Sequence, residues 1–363
     1  MLEVDVAIIG AGPAGSAAAL ALRQHAPDRR VLLIDADLVP RRRGGEVLPA
    51  AGAALLQTLG VAAEVAPACT PAPGLAACWG AAAVTERAAI FSAQGADWHL
   101  DRCRFDQLLA EAAVTRGAAL RRGVRVESAV PLDGAGWRLS FDICPPLTTK
   151  FVIWASGRRR GFLGAVGGRA QTADRLIAYL RYYSEGAAGD PRTLLEACPD
   201  GWWYGAALPG GGRCIGFLTD ADLGRHLGVA TPEGWDRKLA ETRLMSASFG
   251  PSATGGKIEI CAATSSLITP LCGPTWIAAG DAACTFEPLS SQGIAKALRS
   301  GSFAAYVALD HFAGKGEAAR QRYSALMAGE YAAYQRTLAR HYAEESRWPD
   351  HPFWARRRQA VAA

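Results

Sequence analysis

A glycine-rich turn near the start of the chain has the residue spacing of a phosphate-binding loop. It reads G-A-G-P-A-G over residues 10–15 and follows an apolar run. The first glycine makes the tight turn, the second lets the backbone approach a pyrophosphate, and the third lets a helix pack on a strand. Free N–H groups at the start of that helix would face the anion. The predicted phosphate contacts are Gly10, Gly12, Pro13, Ala14 and Gly15.

An acidic residue at the expected distance completes a dinucleotide-binding motif. Asp35 follows the apolar run 31–34 and lies twenty residues beyond Gly15. A carboxylate at that place can accept hydrogen bonds from the adenosine ribose hydroxyls. The order of strand, glycine turn, helix and acid predicts dinucleotide binding, although the motif alone does not separate NAD from FAD.

The elements that must position these residues alternate between strand and helix patterns. Residues 4–9 and 31–34 are typical of buried parallel strands, and an Ala-rich helix that ends near Gln24 lies between them. Strand-like segments dominate residues 170–261, and helices are expected at about 293–312 and 317–345. The pattern predicts an α/β fold, with a Rossmann-like domain around a parallel sheet, a second antiparallel-sheet domain for the substrate, and C-terminal helices.

Four further stretches carry a resemblance to a known family. They are GGEVLP at 44–49, DRCRFD at 101–106, ASGR at 155–158 and GDAA at 280–283. With these motifs in this order, the chain resembles the large FAD family that includes para-hydroxybenzoate hydroxylase, geranylgeranyl reductases and flavin-dependent halogenases. The resemblance implies FAD as the cofactor. It also implies that Arg102 contacts the flavin and that the Gly280-Asp281 pair places a carboxylate on the ribityl chain.

The same resemblance covers nearly the whole chain and implies a discontinuous domain organisation. We expect the FAD-binding domain to comprise residues 1–75, 100–165 and 262–315. Residues 76–99 and 166–261 are expected to form the substrate domain. The C-terminal helical segment is expected at 316–363.

The segment PLSSQGI at 288–294 is similar to the halogenase loop that runs beside the isoalloxazine ring. A helix that starts near Gly293 would aim backbone N–H groups at flavin N1 and O2, where negative charge develops on reduction. We therefore expect flavin contacts at Gly293 and Ile294. The serine hydroxyls could equally be plain helix caps. The residues assigned to catalysis are Glu46, Pro288, Ser290 and Ser291.

Aromatic residues at 202–204 mark a candidate substrate pocket. The stretch GWWYGAALP at 201–209 occupies the place of the W-x-W-x-I-P signature of halogenases but does not match it. Trp202, Trp203 and Tyr204 could form the wall of a substrate cage beside the flavin. They could also lie in the core, where large aromatic side chains usually pack.

The distribution of lysines bears on the reaction. Halogenases of this architecture use a lysine between the Gly-Glu stretch and the Arg102 stretch to carry hypohalous acid, whereas this chain has no lysine before Lys150. The resemblance therefore favours a monooxygenase that hydroxylates an electron-rich aromatic through a flavin C4a-hydroperoxide. A flavin-dependent halogenase, a prenyl-chain reductase and a non-catalytic flavoprotein maturation factor remain as alternatives.

Three features point to a class of substrate. The GWWY stretch, TDADL at 219–223 and the PLSSQG loop most resemble the flavoproteins that mature tryptophylquinone enzymes by hydroxylating a tryptophan within a partner protein. That resemblance implies an indole or tryptophan substrate, with a tryptophan of a partner protein as one form of it. Because no second G-x-G-x-x-G marks an NAD(P)H domain, we expect reduced flavin to be supplied from outside by a flavin reductase.

Composition excludes several other classes. The net charge of +5 comes from arginine, since only five of the thirty-nine basic residues are lysines. Nine cysteines without a C-x-x-C pair predict free thiols and no metal site. The apolar runs are shorter than the roughly 20 residues of a membrane span, and no nucleic-acid-reading motif accompanies the basic residues. We expect a cytoplasmic protein without membrane or nucleic-acid partners.

Overall fold

Two large β-sheets organise the computed structural model, which describes residues 2–133, 136–184, 189–247 and 255–362. The strands are β1 Leu2–Ile9, β2 Val31–Asp35, β3 Val47–Leu48, β4 Cys69–Pro71, β5 Gly74–Cys78, β6 Thr85–Ala88, β7 Trp98–Leu100, β8 Ala119–Arg122, β9 Val126–Leu132, β10 Gly136–Phe141, β11 Leu147–Trp154, β12 Arg169–Thr172, β13 Leu176–Tyr183, β14 Thr193–Cys198, β15 Gly201–Ala207, β16 Arg213–Asp220, β17 Glu259–Ala262, β18 Ser266–Thr269, β19 Cys272–Gly273, β20 Trp276–Ala278 and β21 Cys284–Thr285. The α-helices are α1 Pro13–His25, α2 Ala50–Thr58, α3 Ala62–Val65, α4 Arg102–Thr115, α5 Ala221–Leu227, α6 Pro232–Ala240, α7 Leu244–Ala247, α8 Gly293–Phe312, α9 Gly316–Glu344 and α10 Pro352–Ala362.

The first sheet carries the glycine turn. Strand β1 runs parallel to β2 on one side and to β11 on the other, and β8 and β20 extend the parallel order outward. Its residues Val6, Ala7 and Ile8 are fully buried, as expected for a central parallel strand. The antiparallel strands β9 and β10 attach beside β11, and β19 attaches beside β20.

The second sheet has seven strands in the order β17-β13-β16-β15-β14-β5-β6. Its pairs are antiparallel except for β14 and β5. Because side chains alternate along each strand, one face belongs to the core shared with the first sheet and the other packs on α6 and α7. Tyr182, Trp202 and Cys214 lie on the shared face.

Two three-stranded sheets join these layers, with the orders β12-β18-β21 and β3-β7-β4. The predicted α/β class, with parallel and antiparallel sheets and C-terminal helices, is confirmed. The division into domains stays a prediction. Its boundary at 75–76 falls inside β5, and β12 pairs with β18 although the two strands were assigned to different domains.

Three C-terminal helices complete the structure. Helix α8 begins and ends where the sequence pattern places it, and α9 lies one residue earlier than expected. Helix α10 folds back on the second sheet, where the Trp354 indole N–H donates to the Cys198 carbonyl at 3.0 Å. In the described part of the chain, no helix combines the length and the hydropathy that crossing a bilayer requires.

Helices α1 and α8 approach closely because small residues meet at their contact. A Cβ at Gly301 would stand 2.1 Å from the carbonyl oxygen of Ala14, and a Cβ at Gly280 would stand 2.7 Å from the Ala14 Cβ. No side chain larger than a hydrogen fits at either glycine unless the backbone moves. This contact fixes the start of α1 against α8 and against the turn after β20.

The contact predicts that alanine substitution at two helical glycines changes the free energy of unfolding in opposite directions. Gly301→Ala should lower the free energy of unfolding by about 1–3 kcal/mol because the helices must separate. Gly329→Ala lies on the exposed face of α9 with open space around its Cβ position, so the free energy of unfolding should rise by up to about 1 kcal/mol. Urea unfolding of both variants measures the difference, and equal shifts would contradict the tight contact.

Candidate active site

The glycine turn leaves room for a ligand at its second glycine. Gly10 has φ +110°, and a Cβ there would stand 2.3 Å from the Ala155 carbonyl oxygen. A Cβ at Gly15 would stand 1.8 Å from the Gly10 oxygen. At Gly12, by contrast, no described atom lies within 4 Å of the Cβ position, and no described side chain caps α1, which begins at Pro13. The start of α1 is therefore uncovered at Gly12, as close approach of a phosphate to the helix N-terminus requires.

Asp35 is held at the end of β2, beside this turn. Its Oδ2 accepts a hydrogen bond from the Ala11 N–H at 2.7 Å, and its Oδ1 accepts one from the Asp37 N–H at 2.8 Å. Each carboxylate oxygen keeps a lone pair for a ribose hydroxyl. Arg41 and Arg43 both pair with Asp37 at 2.9 Å, so their charges offset those of Asp37 and Asp35.

Asp281 lies in the turn after β20, among three cations. Lys296 Nζ donates to its Oδ1 at 2.8 Å, Arg158 Nε lies 3.7 Å from its Oδ2, and Arg160 Nη2 donates to its main-chain oxygen at 2.7 Å. Burial opposes ionisation of Asp281, but these cations outweigh it and hold its pKa below the usual value. The side chain stays 35% exposed. A charged acceptor is thus presented to any ligand that extends from the glycine turn.

Arg102 ties the GGE stretch to α4. Its Nη1 donates to the Gly44 carbonyl at 2.8 Å, and its Nη2 donates to Asp106 at 3.1 Å. Burial disfavours the charge, yet Asp106 raises the pKa of Arg102 above its usual value. At Gly45, which has φ +105°, a Cβ would stand 2.7 Å from Arg102 Nη1 and 3.8 Å from Ile294 Cδ1. The predicted flavin contacts Arg102 and Ile294 therefore meet at Gly45, and the Arg102 guanidinium also serves the backbone.

Glu46 is buried and bound to the second sheet. Its Oε1 accepts a hydrogen bond from the Tyr182 hydroxyl at 2.8 Å, and its Oε2 accepts one from the Gly45 N–H at 3.0 Å. Burial, reinforced by the nearby Cys214 and Glu46, raises the pKa of Tyr182, so its hydroxyl stays protonated and acts as a donor. Burial and Glu46 likewise raise the pKa of Tyr204. Glu46 thus joins the glycine stretch to the sheet face that carries Tyr182 and Tyr204.

The loop before α8 is held by local contacts. Pro288–Ser290 form one 3-10 turn, the Ser290 hydroxyl donates to the Glu287 carbonyl at 2.9 Å, and the Gln292 N–H donates to the Ser290 oxygen at 3.3 Å. Ser290 therefore stabilises the loop itself and does not cap α8, whose N-cap residue Gln292 has no side-chain capping hydrogen bond among the described residues. Ser291 has φ +50°, a left-handed conformation that non-glycine residues rarely adopt and that is often found at functional sites.

The three candidate pocket aromatics divide between the two faces of the second sheet, with Trp202 and Tyr204 on one face and Trp203 on the other. Trp203 lies on the face away from the first sheet and packs against Trp235 and Phe217, at ring centroid distances of 5.1 and 4.8 Å. Trp202 is fully buried and donates its indole N–H to the Tyr342 hydroxyl at 3.1 Å. Of the three, Tyr204 keeps partial exposure on the Glu46 side. The two tryptophans have the core role that the sequence had left as the alternative.

Sequence reasoning missed a cavity on the α9 side of the loop. It measures about 290 Å³, near the lower limit of ligand pockets, and Ser290 and Gln292 line one wall of it. Its other walls come from Phe286, Leu289, Arg299, Glu330, Ala333, Tyr334, Thr337, Leu338 and His341. The cavity was missed because no local motif in α9 distinguishes a helix that lines a cavity from a helix that packs on the surface of the core.

Sequence reasoning also missed the polar residues that support the site. Lys296, Arg158 and Arg160 surround Asp281, and Tyr182 binds Glu46. The scarcity of lysine was the available signal for Lys296, because a lone lysine in the apolar start of α8 must find a buried partner. No comparable signal marks Tyr182.

In the described residues, no group of His, Cys, Asp or Glu side chains could hold a metal ion, and all nine cysteines are free thiols.

Comparison with known proteins identifies the cofactor. An FAD-binding domain model matches residues 3–136. The chain is 30% identical to the putative FAD-dependent oxidoreductase LodB of Marinomonas mediterranea, over 98% of this chain and 97% of LodB. FAD is therefore the cofactor. When bound, it supplies the redox chemistry, and residues 10–15, Asp35 and Asp281 are the groups that would hold its pyrophosphate, ribose and ribityl parts.

Two solved structures share the fold. The myxobacterial chondrochloren halogenase CndH superposes with a TM-score of 0.89 at 22% identity, covering 98% of this chain and 86% of CndH. The peptidyl tryptophan dihydroxylase QhpG superposes with a TM-score of 0.74 at 24% identity, covering 98% of this chain and 78% of QhpG. Enzymes named for halogenation and for hydroxylation thus have this same fold.

The assigned role of Asp35 can be tested with Asp35→Ala. The substitution removes the ribose contact and the hydrogen bond from the Ala11 N–H, and it should weaken FAD binding by about 1–3 kcal/mol. The absorbance spectrum at FAD saturation should not change, since Asp35 lies at the adenosine end. Fluorescence titration of the apoprotein measures the affinity, and a shifted flavin spectrum at saturation would show that Asp35 lies elsewhere.

A family model provides the identification. The tryptophan halogenase model matches residues 80–363, which is more than half of the chain. Its match and that of the FAD-binding domain together span nearly the whole sequence. The chain is therefore an FAD-binding member of the tryptophan halogenase family.

Proposed function

We propose that this protein is an FAD-dependent monooxygenase that hydroxylates an electron-rich aromatic, with a tryptophan side chain of a partner protein as the substrate class. Electrons would reach FAD from a separate flavin reductase. The likeness to the peptidyl tryptophan dihydroxylase supports hydroxylation of an indole. The family name favours halogenation instead, so the choice rests on the residues of this chain.

The placement of the lysines carries the proposal. Delivery of hypohalous acid needs an amine that is free to meet it. Lys257 and Lys315 are exposed; Lys315 follows the end of α8 that is distant from the 288–292 loop, which leaves Lys257 as the free amine to be tested. The other three are tied to carboxylates: Lys150 to Asp5, Lys238 to Asp200 and Glu241, and Lys296 to Asp281. Lys296 is fully buried and already hydrogen-bonded, so it cannot meet a diffusing oxidant.

The cavity beside Ser290 is the proposed site for the aromatic ring. Phe286, Tyr334 and Leu338 give it apolar walls, and Phe286 and Tyr334 stack at 4.1 Å. Apolar walls exclude water, which a monooxygenase needs to protect activated oxygen. In this proposal, Pro288, Ser290 and Ser291 shape the loop between flavin and substrate.

Glu46 is proposed for proton transfer. Its carboxylate is buried, has the Tyr182 hydroxyl as a donor, and directly follows Gly45, where Arg102 and Ile294 meet. A buried carboxylate with one hydroxyl partner can accept a proton without contact with solvent. Tyr204 lies on the same side and completes this part of the proposed site.

The reaction predicts a mass change. With reduced flavin, oxygen and excess bromide, a tryptophan-containing peptide should gain oxygen and no bromine. Free tryptophan, assayed in parallel, shows whether the indole must be protein-borne. A bromine isotope doublet as the main product would overturn the proposal, and loss of that doublet in Lys257→Ala would identify the responsible amine. Binding of the partner without any oxygen consumption would favour a non-catalytic role.

The proposed cavity predicts a difference between neighbouring positions on α9. Ala333 is exposed and lines the cavity, whereas Ala332 is exposed and does not line it. Ala333→Trp should fill the space and lower kcat/KM at least tenfold, with unchanged FAD content. Ala332→Trp adds the same bulk outside the cavity and should keep wild-type turnover. Equal activity of the two variants would place the substrate elsewhere.

A further inference from the structure

Lys296 is a fully buried ammonium group next to the predicted flavin contacts. Its side chain has no exposed surface, and it lies one turn into α8, two residues after Ile294. Burial of an unpaired ammonium costs several kcal/mol, so its charge must be compensated. The partners are Asp281 Oδ1 at 2.8 Å and the Cys284 carbonyl oxygen, and the Phe286 ring lies 4.8 Å from Nζ.

The two members of the ion pair differ in their exposure. The Lys296 side chain is fully buried, whereas the Asp281 side chain is 35% exposed. One carboxylate oxygen is bound to Lys296, and the other lies 3.7 Å from Arg158 Nε. With Arg160 on the Asp281 main-chain oxygen, three cations surround one carboxylate. The local charge is therefore positive, although the group that faces the ligand is an acid.

We propose that Lys296 is a positioning residue for Asp281, and that its buried charge favours binding and reduction of FAD. The hydrogen bond at 2.8 Å fixes the carboxylate so that its exposed side meets the ribityl hydroxyls. The ammonium also cancels the charge of Asp281, which would otherwise oppose the negative charge that flavin gains on reduction. The inference depends on FAD binding alone and holds whichever reaction the flavin supports.

The test compares two buried lysines. Lys296→Met keeps the length and apolar stem but removes the charge. It should raise the FAD dissociation constant at least tenfold and make the reduction potential of bound FAD more negative, as measured by equilibration with a redox dye. Lys238→Met is the matched control, because Lys238 is also buried and paired with two carboxylates but lies in α6. It should leave both quantities unchanged.

A double-variant cycle tests whether Lys296 acts through Asp281. The effect of Lys296→Met on FAD affinity should shrink when Asp281→Asn is already present, since no carboxylate charge then needs to be cancelled. If Lys296→Met alone fails to fold, the double variant, which leaves no unpaired charge, is compared with Asp281→Asn alone. Wild-type affinity and potential in Lys296→Met, or an equally large loss in both backgrounds, would overturn the proposal.

Discussion

Ala14 is the residue at which three distant segments of the chain touch. It lies in the glycine turn, and the methyl group and carbonyl of this one residue meet Gly280 and Gly301 so closely that neither glycine can carry a side chain. The turn after β20 and helix α8 are therefore held directly against the start of α1. The N–H groups of α1 and the Asp281 carboxylate consequently lie at fixed positions along one extended site. A long dinucleotide needs this rigidity, because each end is bound by a different segment.

Two networks of buried hydrogen bonds connect the second sheet and α9 to the segments that meet at Ala14. Glu46 connects the glycine stretch to Tyr182 on the second sheet. On the other side, Tyr342 of α9 donates to Glu287, just before the 288–292 loop, and accepts from Trp202. Burial raises the pKa of Glu287 to about 8, against the opposing effects of Arg357 and Tyr342. Buried hydrogen bonds of this kind specify one arrangement, since a broken bond leaves an unpaired group out of reach of water.

The fold leaves the reaction open. Proteins named as halogenases and as a tryptophan dihydroxylase superpose on this chain, so its chemistry must be argued from side chains. The decisive feature is how the few lysines are used. Lys296 is committed to Asp281, which supports a role in holding the cofactor and removes it from contact with a diffusing oxidant.

The sequence by itself determined the local features of this protein. The glycine turn, the bounds of α8, and the placement of Asp35 at the end of β2 follow from residue types that lie close together in the chain. Tertiary structure decided the rest. Glu46 and Tyr182 are 136 residues apart, and no local pattern predicts that they meet. Trp202 and Trp203 were placed in one pocket, but consecutive strand residues point to opposite faces, and only packing shows what covers each face. The scarcity of lysine marked Lys296 as unusual, but the sequence did not identify its partner. Asp281 meets Lys296 only where α8 crosses the turn after β20, because an ion pair depends on distance in space and not on distance along the chain.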